Sequence, residues 1–119
     1  MENNRKYERF EDFGRIECFD ICPFPGTLND ISQTGMKVTF NSFVTIEMEE
    51  EYKVTVRIPK CYFSAIELVV TPVWAYEHNG TYQIGFSILH SAGATYLAEY
   101  LRNLQHEKEA ELEDTEIFA

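Results

Sequence analysis

"NDISQTGMKV" (residues 29–38) joins a polar stretch to an apolar alternation. From Asp30 it runs Asp-x-Ser-x-x-Gly and then enters that alternation. Met36, Val38 and Phe40 fall on one side of it, Lys37 and Thr39 on the other. A period of two marks a strand with one buried face. Asp, Ser and Gly ahead of it are turn residues, because short polar side chains can bond to their own backbone. The stretch is therefore a turn feeding a strand. The same Asp, Ser and Gly can also be half of a nucleotide-binding site, which then needs a second half elsewhere in the chain.

The strand pattern continues in both directions. Upstream, "GRIECFDIC" (14–22) sets Ile16 and Cys18 against Glu17, Phe19 and Ile21, and "PFPG" (23–26) breaks it. "TLNDIS" (27–32) is a short second strand and "GMKVTF" (35–40) a third. After a connection ending in "EMEEE", "YKVTVRIP" (52–59) alternates Val54, Val56 and Ile58 against Thr55 and Arg57. "AIELVVTPVWAYE" (65–77) is a longer apolar run that Pro72 bends or confines to an edge. Asn79-Gly80 is a strong hairpin signal, and "TYQIGFSIL" (81–89) returns as the sixth strand. From Ser91, a candidate helix cap, the period changes. Leu97, Tyr100, Leu101 and Leu104 form one helical stripe. Six short strands and one helix make a mainly β domain, and such strands suggest a small barrel with the helix over an open end or side.

The pattern divides the chain into three segments. Residues 1–12, "MENNRKYERFED", form a polar arm containing arginines. Residues 13–106 form the barrel and helix. Residues 107–119 are expected to fray as an acidic, solvated tail, since the stripe ends at Leu104.

The 119 residues suit one domain. No apolar run is long enough to span a bilayer, and the start lacks the apolar segment of an export signal. The expectation is a cytoplasmic protein without membrane insertion. Three cysteines, Cys18, Cys22 and Cys61, argue against a disulfide framework and are expected to act as small core hydrophobes. No metal site is expected. The net charge of −10 discourages DNA or RNA binding. That charge is uneven: "EMEEE" (47–51) and "EKEAELEDTE" (107–116) carry nine of the ten. Residues 1–46 are nearly balanced, and Arg5, Lys6 and Arg9 lie close together there. Screening over about 8 Å lets a basic arm coexist with acidic runs.

The second half of the site is in that arm. "RKYER" (5–9) is Arg-x-x-x-Arg, placed before the first strand, while the acidic turn lies between the second and third. With these two motifs the chain resembles the PilZ domain, a bacterial family that binds the second messenger cyclic di-GMP. "PVWAYEHNGTYQIGFSIL" is similar to the family's last hairpin. The resemblance covers most of residues 5–104. It implies a six-stranded antiparallel barrel with a C-terminal helix and ligand on its outer surface under the arm. Asn4 departs from the pattern, standing where many relatives carry a further arginine.

The implied site is Arg5, Arg9, Asp30, Ser32, Gly35 and Gly85. An arginine fork fits the O6 and N7 acceptors of guanine, and its plane stacks on bases and pairs with phosphate. Asp30 can accept from guanine's N–H edge. Ser32 can bond the base or brace the turn. Gly35 supplies backbone freedom and close approach. Gly85, inside a strand, either marks another close approach or relieves crowding at a bend. Trp74, Tyr76 and Phe86 are assigned to the core, because large aromatics dominate core burial, and Lys37 to the plain surface. His78, His90 and His106 belong to no catalytic constellation, and no Walker loop or Rossmann fingerprint is present, so no enzyme and no cofactor is expected. The expected role is a cyclic di-GMP receptor whose ordered arm is recognised by an effector protein. The alternative is a PilZ-like adaptor that binds proteins and no nucleotide.

Overall fold

The structure is a computed structural model describing residues 14–58 and 65–118, with backbone alone for 108–118. Its strands are β1 (Gly14–Glu17), β2 (Gly26–Ile31), β3 (Gly35–Phe40), β4 (Tyr52–Arg57), β5 (Ile66–His78) and β6 (Thr81–Ile88), followed by helix α1 (Ala92–Phe118). Every pairing is antiparallel. The strands close into a barrel in the order β1-β2-β3-β6-β5-β4. Closure is made by β1 on β4, through Arg15 opposite Arg57 and Glu17 opposite Thr55. The two arginines would repel, and Glu17 answers Arg57 with a carboxylate 3.3 Å from its Nε.

Alternation fills the interior. Ile16, Leu28, Met36, Val38, Phe40, Val54, Val56, Leu68, Val70, Ile84 and Phe86 all point inward and are 2 % exposed or less. Side chains fill a barrel of this size completely. The Asn-Gly turn forms as expected: Asn79 and Gly80 have φ of 52° and 79°, and His78 pairs directly with Thr81. That backbone twist matches the twist of the flanking strands. Ser91 caps α1, its Oγ accepting from the Ala94 N–H at 3.1 Å. Leu97, Tyr100 and Leu101 then bury the helical stripe. Among the described residues no helix is long and apolar enough to cross a membrane.

Two boundaries differ from expectation. β1 ends at Glu17, because the Cys18 carbonyl accepts from both the Ile21 and Cys22 N–H groups at 3.0 Å. This single helical turn carries Ile21 and Cys22 into the core from the barrel's end, so their burial survives the loss of strand. The helix does not stop near residue 106 but continues to Phe118. Residues 107–118 contain neither Gly nor Pro and are rich in Glu, a residue well tolerated in helices. An apolar stripe governs where a helix packs, and propensity governs how far it runs.

Candidate nucleotide-binding face

The barrel's outer wall at β2, β3, β6 and β5 carries a row of four residues. Asp30 pairs with Lys37, Lys37 with Gly85, and Gly85 with Trp74. Two β-bulges create the row. On β2, Leu28 pairs with Val38 but Asp30 with Lys37, which leaves Asn29 as an extra residue. Strict alternation from buried Leu28 would turn Asp30 inward. The bulge turns it out, and Ile31 goes into the core instead. On β5, Pro72 pairs with Phe86 and Trp74 with Gly85, with Val73 the extra residue. That bulge reverses the parity of everything after it. A bulge re-aims side chains in this way, at the cost of a local break in the ladder.

The β5 bulge corrects the assignment of two aromatics. Trp74 is 42 % exposed and Tyr76 59 %, whereas Phe86 is buried as expected. Pro72 fits because β4 pairs with β5 only as far as Val70. Beyond that residue no described strand pairs with that side of β5, and proline is tolerated in such an edge segment.

Gly85 also acquires a definite role. A β-carbon there would run into the Trp74 indole, meeting Cδ1 at 2.8 Å and Nε1 and Cε2 closer still. The group that approaches Gly85 is thus the chain's own Trp74, laid across the strand. Asp30, Met36, Lys37, Val73, Trp74, Gly85 and Phe86 together line a recess of about 310 Å³. Lys37, expected to be plain surface, lies at its centre between Asp30 and Gly85.

Ser32 and Gly35 build the turn beside this row. Ser32 is 3 % exposed. Its Oγ accepts from the Gly35 N–H at 3.2 Å, and its own N–H donates to the Gly35 carbonyl at 2.8 Å. Of the two roles open to the Ser32 hydroxyl, bracing the turn is the one made here. Among the described glycines a left-handed φ occurs at Gly80 and not at Gly35, so conformational freedom is not what Gly35 supplies. The Thr34 carbonyl accepts from the Ile88 N–H at 2.9 Å, which ties the turn to the end of β6.

A second row lies above the first. Thr39 pairs with Gln83, and Gln83 with Tyr76. The Thr39 hydroxyl donates to Asn29 Oδ1 at 2.6 Å. Tyr76 stacks on His78 with ring centroids 6.3 Å apart. The face therefore combines one carboxylate, one ammonium, amides, hydroxyls and exposed aromatic rings. Such a mixture suits a planar, polar, anionic ligand: rings stack on it, the carboxylate accepts from it, and the lysine meets its charge. Arg5 and Arg9 lie outside the described residues.

No protein-family model matches the sequence, and no curated protein matches it either. The fold, however, is similar to solved structures. One is the inhibitor of motility MotI/DgrA from Bacillus subtilis, at TM-score 0.68 and 17 % identity over 90 % of this chain and 54 % of that one. Another is YcgR from Escherichia coli in complex with c-di-GMP, at TM-score 0.64 and 13 % identity over 94 % of this chain and 50 % of that one. Both are PilZ-domain proteins. The barrel has a PilZ-like fold. This chain spans about half the length of each of those two. The PilZ-like topology puts the Asp-x-Ser-x-x-Gly turn between β2 and β3, next to the row that the two bulges assemble.

Proposed function

We propose that this chain is a cytoplasmic receptor domain for cyclic di-GMP, which it holds on the outer face of β2, β3, β6 and β5. The observation that carries the reading is the row Asp30, Lys37, Gly85, Trp74. A guanine stacked on the indole would bring its N–H edge toward a carboxylate, and the nearby lysine suits a phosphate. Arg5 and Arg9 complete the site on the strength of their sequence spacing, dividing base and phosphate recognition between them. Gly35 and Ser32 hold the turn that supports Asp30, and Gly85 seats the indole. The role is recognition and not turnover. The bound ligand orders residues 5–10, and an effector protein reads the altered surface. Likeness of fold to YcgR, a protein solved in complex with c-di-GMP, supports the choice of ligand.

Calorimetry on the wild type and on Arg9→Ala tests this. A charge-assisted hydrogen bond is worth about 1.5–3 kcal/mol, so Arg9→Ala should bind about ten- to a hundred-fold more weakly. A wild type that does not bind cyclic di-GMP would leave the nucleotide-independent adaptor in its place.

A further inference from the structure

The exposed large apolar side chains of the described residues fall into two groups. Val73, Trp74 and Tyr76 belong to the face above. Phe19, Phe24, Phe43 and Met48, at 74, 60, 71 and 46 % exposed, belong to two loops. One loop joins β1 to β2 and the other joins β3 to β4, so antiparallel order puts both at the same end of the barrel. The β5–β6 hairpin is at that end too, while α1 starts from the opposite one. The two loops are joined by a backbone hydrogen bond from Thr45 N–H to the Ile21 carbonyl at 2.8 Å. Phe43 rests edge-on against Tyr82 at the start of β6, with centroids 6.1 Å apart.

The same loops carry Asp20, Glu47, Glu49, Glu50 and Glu51 and no Lys or Arg. The next base, Lys53, is on β4. The acidic turn is fixed in place. The Glu47 N–H donates to the Tyr52 hydroxyl at 2.9 Å, and Glu49 holds a φ of 71°. A left-handed backbone at a non-glycine residue is uncommon and carries strain. The end of the barrel is thus a set of exposed phenylalanines and a methionine with a rim of one sign of charge.

We propose that this end of the barrel docks a partner protein that presents apolar side chains among lysines and arginines, such as a basic amphipathic segment. Charge selects the occupant. A second copy meeting the same end would set acid against acid, and an anionic membrane surface would be repelled. A basic apolar partner satisfies both parts of the surface, with the aromatics as anchors and the rim steering its approach. The docking end uses residues other than those of the nucleotide face, and the proposal does not depend on ligand binding there.

The probe is an amphipathic leucine/lysine peptide, compared with a lysine-only peptide of equal charge, titrated into the full chain. The proteins compared are the wild type; Phe19→Ser with Phe43→Ser, and each of these alone; Glu47, Glu49, Glu50 and Glu51 all changed to Gln; and a control with the acids of 107–116 changed to Gln. The wild type and the control should bind the leucine/lysine peptide alike. The phenylalanine variant should bind it about ten-fold more weakly, and the loop-acid variant should bind more weakly and lose its salt dependence. Phe19→Ser alone, at the most exposed site, should show part of the loss with an unchanged melting temperature. No binding by the wild type, equal binding of the lysine-only peptide, or loss only in the 107–116 control would overturn the proposal. So would self-association of the wild type that Phe43→Ser abolishes, since a second copy would then be the occupant.

Discussion

Trp74 sits directly across from Gly85, and its indole fills the space that a side chain at residue 85 would need. Gly85→Ala must therefore displace the indole or the strand. Overpacking of this kind costs about 1–3 kcal/mol. The chain holds one tryptophan, so its emission reports on that displacement alone. Gly85→Ala should lower the melting temperature and shift the emission to the red. An unchanged spectrum and melting temperature would mean that the indole does not rest there.

The two aromatics on either side of the β5 bulge should behave differently. Phe86 is 2 % exposed and Trp74 42 %. Phe86→Ala should cost about 3–5 kcal/mol of stability. Trp74→Ala should cost far less stability but weaken cyclic di-GMP binding by about ten-fold, since stacking on an aromatic is worth about 1–3 kcal/mol per base. Chemical denaturation and calorimetry on both variants separate the two roles. A Trp74→Ala protein with wild-type affinity removes the platform from the site.

Ser32 and Asp30 divide in a similar way. Ser32→Ala removes the buried acceptor of the Gly35 N–H and should cost about 1–2 kcal/mol of stability, with affinity falling as the turn loosens. Asp30→Asn keeps size and polarity on a partly exposed strand position, so it should weaken ligand binding more than it lowers the melting temperature. Thermal melts beside binding curves check both. An Asp30→Asn variant that binds normally would take the carboxylate out of recognition.

Burial pushes the Cys18 thiol above its ordinary value of 9.0. The folded state then holds this proton more tightly than the unfolded chain does. The resulting stability is fully present below about pH 9 and is lost as pH rises through the higher folded value. Denaturation across pH 7.5 to 10.5 should show a steeper alkaline loss for the wild type than for Cys18→Ala. Parallel curves would exclude Cys18 as the source. At neutral pH the same burial should make Cys18 slow to alkylate.

The strands were legible because alternation and the Asn-Gly turn are local signals, and β2 to β6 form close to where the pattern put them. Trp74 and Tyr76 were not legible as surface. Their outward aim depends on one extra residue, Val73, and a bulge leaves no composition signal of its own. Pro72 beside an apolar run was the available hint, since proline in a strand marks an edge or a bulge. Asp30 was picked from its motif and not from the pattern, which would have buried it. Lys37 was missed because a cross-strand neighbour is set by register, and register is not visible in one strand alone. The helix ran past Leu104 because its apolar stripe and its helical propensity end at different places.

Two bulges bring Asp30 and Trp74 onto one face of the barrel, where both are proposed to meet the ligand. The most direct measurement is titration of the full chain with cyclic di-GMP, followed by the emission of its single tryptophan. A saturable change in Trp74 emission is expected in the wild type, shifted to about ten-fold or more higher ligand in Asp30→Asn and in Arg9→Ala. Saturable binding by calorimetry with no change in Trp74 emission would contradict it.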